Sequence, residues 1–378
     1  MKIVVVGAGV IGLLTAVECV RAGAQVDLVD QAAIPSDSAT SYDRHRVVRA
    51  LHRGDTRLTL AAAALHEAWL GVERRLGGRF YHRTGVLTLA ASPDIDAGLA
   101  LLSGADVPVQ ALSDRDLSAR YPQVRFEAGQ QAVFEPAAGT VLADQALLAA
   151  ARWLRGRPGV RTHPHRRVSH VEESGKVRLT DGGVLAGDSV VVAAGPWSRG
   201  LLPARLAGKL TLKRQTVLSY QPTSLEADWS TSPAIVGLGG SAYDAWLMPP
   251  VAGTQVRLSA ASACRTVAEM TGRDTPGDWR DHLTSRFSTL LTGFDPAAVT
   301  GATEGYYLAD EAGQGPLLVR VGDGTVWAYA ACGGMSFKFG PVLAQALADR
   351  ALGQPARRTG LDSVDRPAQF AVDLRECA

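Results

Sequence analysis

The first thirty residues constrain this chain more than any other stretch. An apolar run at residues 3–6 leads into Gly7, Gly9 and Gly12, and a helical pattern of Leu13, Leu14, Ala16, Val17 and Val20 follows. Strand, glycine turn and helix in that order are the opening unit of a doubly wound α/β sheet that binds a dinucleotide. Gly7 permits the tight turn, Gly9 lets the backbone approach a pyrophosphate, and Gly12 lets helix and strand pack closely. The phosphates then face the helix start at Val10 and Ile11, where free N–H groups and the helix dipole favour negative charge. Residues 25–29 read as the second strand. Asp30 follows, with Gln31 beside it, at the distance of an acid that binds a ribose. An acid there favours an unphosphorylated ribose, so FAD or NAD is expected rather than NADP. An ordinary glycine turn is the plainer alternative, and it leaves the second strand and the acid in register without a reason.

At 378 residues the chain exceeds one core of usual size, and two interleaved domains are expected. Its formal charge of +2 is spread through mixed-sign sequence and gives no support for a nucleic-acid or membrane partner. A basic stretch, Arg44, His45, Arg46, Arg49, His52 and Arg53, is the exception. Cys19, Cys264, Cys332 and Cys377 show no metal-type spacing, and a reduced cytosol suits them. The start MKIVVVG is like the opening of a signal peptide, but its apolar run is used by the glycine turn. No apolar segment reaches membrane-spanning length, so a soluble, cytoplasmic protein is expected.

Further along, residues 56–76 have the spacing of one amphipathic helix, with Leu58, Leu65, Trp69 and Val72 on one side. Residues 84–90 alternate as a strand. Residues 97–102 and 114–121 look like short helical or turn segments, and 141–154 like a longer helix. Alternating sequence around Val168, Val171, Val177 and Leu179 carries a hairpin signal at Asp181, Gly182 and Gly183. A buried-strand run at 189–193 ends in Ala194, Gly195, Pro196 and Trp197, small residues that let backbone lie close to a cofactor. Residues 211–258 are mostly β, and a helix is expected near 278–291. Residues 315–352 read as two strands, a glycine loop at Gly333 and Gly334, and a helix from Pro341 on. The polar tail after Pro355 reads as loosely attached.

These residues resemble the D-amino-acid-oxidase superfamily of flavoproteins, and within it the monomeric sarcosine oxidase branch. Four matches carry the likeness: the fingerprint with Asp30; Arg46-Val-Val-Arg49 with Thr84-Gly-Val-Leu87; Phe134-Glu-Pro-Ala-Ala-Gly139; and Phe337-Lys-Phe339 after the glycine loop. The resemblance implies a Rossmann-type FAD-binding domain from residues 1–85, 141–210 and 301–378, with a β-rich substrate domain from 86–140 and 211–300. It implies oxidation of the C–N bond of a small carboxylate-bearing amine to an imine, and a monomer is expected. Arg49 and Lys338 would hold the carboxylate, one as a planar fork and the other as a point charge. A solvated helix arginine is the plainer reading of Arg49. Arg46 would sit beside the flavin ring, unless it only pairs with Asp43 or Asp55. Arg44, His45, His52 and Arg53 are expected at the surface. FAD would also touch Val168, Ala194, Gly195 and Trp197, and, from the final glycine loop, Gly333, Gly334, Met335, Ser336 and Lys338.

The chain departs from the family pattern in several places. The cysteine that binds flavin covalently is replaced by Glu304, so noncovalent FAD is expected. The lysine that speeds reaction with oxygen is replaced by Arg257, which leaves open an acceptor other than oxygen. Histidines give way to Tyr42, Ala261 and Met335, and a pocket tyrosine to Trp246. The cavity is expected to be more apolar, roomier at Ala261, and suited to a secondary or cyclic α-amino acid. Tyr306 stands as an aromatic wall or as a core strand residue. The rivals are a primary-amine oxidase acting on a D-amino acid or glycine, an NAD-dependent dehydrogenase, and a flavin-binding scaffold without turnover.

Overall fold

The computed structural model describes residues 1–222, 229–310, 317–322 and 324–355; the polar tail and Cys377 lie outside them. The strand Lys2–Val6 is the centre of a six-stranded sheet, flanked in parallel by Gln25–Val29 and Ser189–Val192. Val160–His163 extends one side and Val326–Ala331 the other, both in parallel, and Leu317–Val321 closes the second edge antiparallel. This is a Rossmann-type α/β sheet, and its strands are apolar on both faces because both are covered. Ile3 and Val5 point into a core built with Leu13, Leu14 and Val17 of the helix Val10–Arg21. Val4 and Val6 point into another, with Val171, Val177 and Leu179 of the small antiparallel sheet that spans residues 168–186.

A second, nine-stranded sheet is mixed. It is built mainly from Leu210–Tyr220, Ala234–Leu238, Ala245–Met248 and Val256–Ala260, with Val86–Ala90 and Gln131–Glu135 joining from earlier in the chain. Val299–Asp310 pairs with Leu210–Tyr220 over its whole length, so this sheet takes in residues on both sides of position 300. A fourth sheet, His45–Val48 with Gly139–Leu142 and Tyr81–His82, completes the set among the described residues.

The structure corrects several local expectations. Residues 56–76 form two helices, Thr56–Ala62 and Leu65–Leu76. The first half is capped by Asp55 and buries Thr59, Ala61 and Ala62. The second buries Leu65, Trp69, Val72 and Leu76, so the two halves seek different partners and the helix breaks between them. The helix expected from 141 starts at Ala143, because Val141 and Leu142 are held in the strand opposite Arg46 and His45. The strand expected from 84 starts at Val86; Gly85 has φ +70°, and a Cβ there would lie 2.5 Å from the Phe134 ring. Its five residues are all buried rather than alternating, since this strand is sandwiched.

Candidate functional site

A cavity of about 1070 Å³ runs between the six- and nine-stranded sheets. That is slightly above the ~300–1,000 Å³ usual for small-molecule sites. Gly7, Gly9, Val10, Ile11, Asp30 and Gln31 line it at one end, and Arg49 and Lys338 at the other. Arg46, Val168, Ala194, Gly195, Trp197, Gly334, Met335 and Ser336 also border it, as do Tyr306 and Trp246. Gly12, Gly333 and Arg257 do not.

The glycine end is shaped by close backbone approach. Gly7 has φ +102°, and a Cβ on it would lie 2.5 Å from the carbonyl oxygen of Ala193. A Cβ on Gly12 would come within 1.9 Å of the Gly7 oxygen, so Gly12 works by letting the helix onto the turn and not by lining the cavity. The Ala8 N–H donates to Asp30 Oδ2 and the Ala32 N–H to Oδ1, both at 2.8 Å, while the Val10 N–H donates to Ser41 Oγ at 3.1 Å. Burial raises the Asp30 pKa in spite of those donors. The first helical turn carries no acid. This cradle opens onto the cavity with glycine at Gly7 and Gly9, and it fits a pyrophosphate that displaces Ser41 from the Val10 N–H, with Asp30 at the ribose.

The far end is built from side chains. Arg49 follows the His45–Val48 strand, and Lys338 precedes the helix Gly340–Ala351. Arg49 is therefore not the solvated helix residue of the plainer reading: its Nη1 is buried and has no hydrogen-bond partner. Burial lowers its pKa to about 10, with Glu135 opposing that shift and Arg53 adding to it. Lys338 is 8% exposed, and burial, reinforced by Arg49 and opposed by Glu135, holds its pKa well below that of a free lysine. Its Nζ lies 2.5 Å from His52 Nε2, and its main-chain oxygen accepts from Trp69 Nε1 at 2.8 Å. Glu135 accepts the N–H groups of Ala50 at 2.7 Å and Leu51 at 3.1 Å.

His45 and His52 are buried, which corrects their expected surface position. His45 closes on Thr254 Oγ1 at 2.6 Å, and burial with the nearby Arg257 lowers its pKa to about 3. Burial, Lys338 and Arg49 keep His52 well below the usual histidine value. Neither His52 nor Glu135 is among the site residues expected from the sequence, although Glu135 falls within the Phe134-Glu-Pro-Ala-Ala-Gly139 match. An acid closing the apolar strand Gln131–Glu135 is a further signal that marks Glu135.

Arg46 both borders the cavity and pairs with Asp43 at 2.7 Å, its guanidinium 5.6 Å from the centre of the Phe337 ring. Arg257 sits behind it, bonded to Ser219 Oγ, Thr303 Oγ1 and Asp43. Burial opposes the charge on Asp43, but Arg46 and Arg257 outweigh it and hold the carboxyl far below the usual range. Glu304 borders the cavity, yet its carboxylate accepts from Arg214, Thr216 and Arg265. Tyr306 donates its hydroxyl to the Gly272 oxygen at 2.7 Å, while Tyr307 lies along the glycine loop, 3.4 Å from where a Cβ on Gly334 would stand. Ala261 is exposed and outside the lining, so no room is gained there. The nine-stranded sheet gives the cavity an apolar wall: Val217, Val236, Trp246 and Met248, from the strands Leu210–Tyr220, Ala234–Leu238 and Ala245–Met248.

Comparison with known proteins bears on this cavity. A family model described as FAD dependent oxidoreductase matches residues 2–350. Peroxisomal sarcosine oxidase of Mus musculus is 27% identical over 209 residues, 53% of this chain and 51% of the relative. Glycine oxidase of Pseudomonas putida is 31% identical over 211 residues, 53% of this chain and 57% of the relative. The chain thus spans about half the length of the curated relatives it matches. Among solved structures, NikD, an unusual amino acid oxidase essential for nikkomycin biosynthesis, is similar with a TM-score of 0.77 at 18% identity, covering 96% of both chains. No helix among the described residues is long and apolar enough to cross a membrane.

Proposed function

The chain belongs to the family of FAD-dependent oxidoreductases, and from that premise we propose that it oxidises the C–N bond of a secondary or cyclic α-amino acid to the imine, with oxygen as acceptor and hydrogen peroxide as product. One observation carries the reading: the glycine turn with Asp30, and the buried cations Arg49 and Lys338, open onto the same cavity. Gly7, Gly9, Val10 and Ile11 would hold the pyrophosphate of a noncovalent FAD, and Gly334, Met335 and Ser336 would border its ring. Bound there, the flavin supplies the two-electron acceptor for the substrate hydride.

The residues of the chain do the rest. Arg49 and Lys338 grip the substrate carboxylate, which gives the unpartnered Nη1 its acceptor. That grip fixes the carbon beside nitrogen at one distance and angle from the ring. The cations also disfavour an ammonium on the substrate, so the amine meets the flavin deprotonated without a dedicated base. Val217, Val236, Trp246 and Met248 exclude water and receive the apolar part of the substrate. Glu304, held among Arg214, Thr216 and Arg265, offers no thiolate for a flavin bond. The reading includes a monomer in the cytoplasm.

The test is an anaerobic screen of amino acids for bleaching of the bound flavin, followed by peroxide measurement in air. Cyclic and N-alkyl amino acids are expected to bleach it fastest. Faster bleaching by glycine or primary D-amino acids would replace the secondary-amine reading, and reoxidation by a quinone but not by air would replace the oxygen acceptor. Acid precipitation is expected to release all the yellow colour from the polypeptide.

A further inference from the structure

We propose that His52 is the positioning residue for Lys338, and that the pair takes up one proton from solvent each time an anionic carboxylate enters beside Arg49. This rests on the reading above, in which Arg49 and Lys338 bind the carboxylate.

The geometry fixes His52 in one tautomer. Its Nδ1–H donates to the Ala50 carbonyl at 2.8 Å, which leaves the Nε2 lone pair to accept from Lys338 Nζ at 2.5 Å. An ammonium and a neutral amine both carry an N–H to donate, so the contact survives a change of charge on the lysine. The Phe339 ring, centred 5.7 Å from Nζ, and the Trp69 bond to the Lys338 main chain hold the lysine from other sides.

Charge balance supplies the proton. Four titratable groups act on one another here: Arg49 and His52 from the segment after the His45–Val48 strand, Glu135 from the strand end, and Lys338 before the closing helix, with Arg53 behind Arg49. Among the described residues Glu135 is the carboxylate that acts on these cations, and both its oxygens already hold backbone N–H groups. With Arg49 and Lys338 both charged, the buried cluster carries one unbalanced positive charge, and burial of such a surplus is resisted by loss of a proton. Arg49 keeps its proton far more firmly than an amine does, so Lys338 is the group that gives way. With Lys338 neutral, Arg49 and Glu135 cancel; an entering carboxylate adds one negative charge, and the amine offsets it by taking a proton from solvent and becoming an ammonium. His52 does not compete for that proton, because burial, Lys338 and Arg49 all disfavour its charged form.

The experiment is calorimetric titration of the FAD-loaded protein with benzoate, which binds as a carboxylate and cannot be oxidised at an α-amine. Titrations at pH 7 to 9 in two buffers of different ionisation heat give the number of protons taken up, and benzamide serves as the uncharged control. Uptake approaching one proton per benzoate is expected, with none for benzamide and none for Lys338→Met. His52→Phe is expected to weaken benzoate by ~10-fold, the loss of about one hydrogen bond, and to move the onset of uptake to lower pH. His52→Gln, whose amide oxygen can accept from Nζ, is expected to restore both. Benzoate binding without proton uptake, or uptake that persists in Lys338→Met, overturns the proposal and leaves the carboxylate grip standing. Failure of benzoate and other carboxylates to bind at all overturns both.

Discussion

At the glycine end of the cavity the polar groups are main-chain donors already in hydrogen bonds, to Asp30 and to Ser41, before any ligand arrives. At the far end they are side chains, an Arg49 with a buried nitrogen that bonds to nothing and a buried lysine that leans on a neutral histidine. The first end is a backbone shape whose donors rest on the Asp30 and Ser41 side chains. The second is an electrostatic deficit held in place by packing, and an unsatisfied buried donor of this kind costs about 1–3 kcal/mol until an acceptor arrives. Shape can be retained permanently at little cost in stability, whereas the deficit is useful only when a ligand cancels it. A tightly kept cofactor and an exchanging substrate suit the two constructions respectively.

The contrast breaks most severely at Gly12. Gly12→Ala places a methyl within van der Waals overlap of the Gly7 oxygen; overpacking costs ~1–3 kcal/mol or more, and the purified protein is expected to lose its 450 nm absorbance and to melt earlier. Arg49→Ala should leave flavin content unchanged while raising KM by the equivalent of ~1.5–3 kcal/mol, a charge-assisted bond; equal loss of flavin would erase the distinction between the ends. Glu135→Ala strips two buried N–H groups of their acceptor, and a stability loss of ~1–3 kcal/mol is expected in denaturant titrations.

The far end should also be the acid-sensitive one. His45 and His52 have pKa values lowered by folding, so the native state binds fewer protons than the unfolded chain below pH ~6.5. Their contribution is complete above that pH and falls as the pH drops, for His45 down toward about 3. The slope approaches ~1.4 kcal/mol per pH unit for each histidine, and His45→Phe should flatten the melting-temperature profile between pH 6 and 4. The smallest effect is expected at Ser41. Ser41→Ala removes a neutral partner of Val10 worth ~0.5–1.5 kcal/mol to the empty protein, and flavin affinity should hold or rise, since a phosphate can take the freed N–H.

The two ends also differ in how far they can be read from residues alone. Gly7, Gly9, Gly12 and Asp30 lie within one short stretch, and each constraint there is local, so spacing suffices. The alternating burial of Ile3, Val4, Val5 and Val6 on opposite faces of one strand likewise follows from local pattern. The far cluster joins positions 49, 52, 135 and 338, which come from three separate stretches of the chain and meet only in the folded protein. His52 looked like one more member of a basic surface run because nothing nearby in sequence says that Lys338 will close over it. The broken helix at Ala63 failed for a related reason: its period continues, but its two halves face different neighbours.

The bond from Trp69 to the main chain of Lys338 has a wider consequence. It fastens the lysine to the helix Leu65–Leu76, whereas the apolar wall opposite hangs on strands of the nine-stranded sheet that take no part in that attachment. Handle and mould are therefore separate castings. On the proposed reading, descendants of this sequence could swap Trp246, Met248 or Val236 and acquire new appetites while the proposed grasp on the acid terminus stayed as it is.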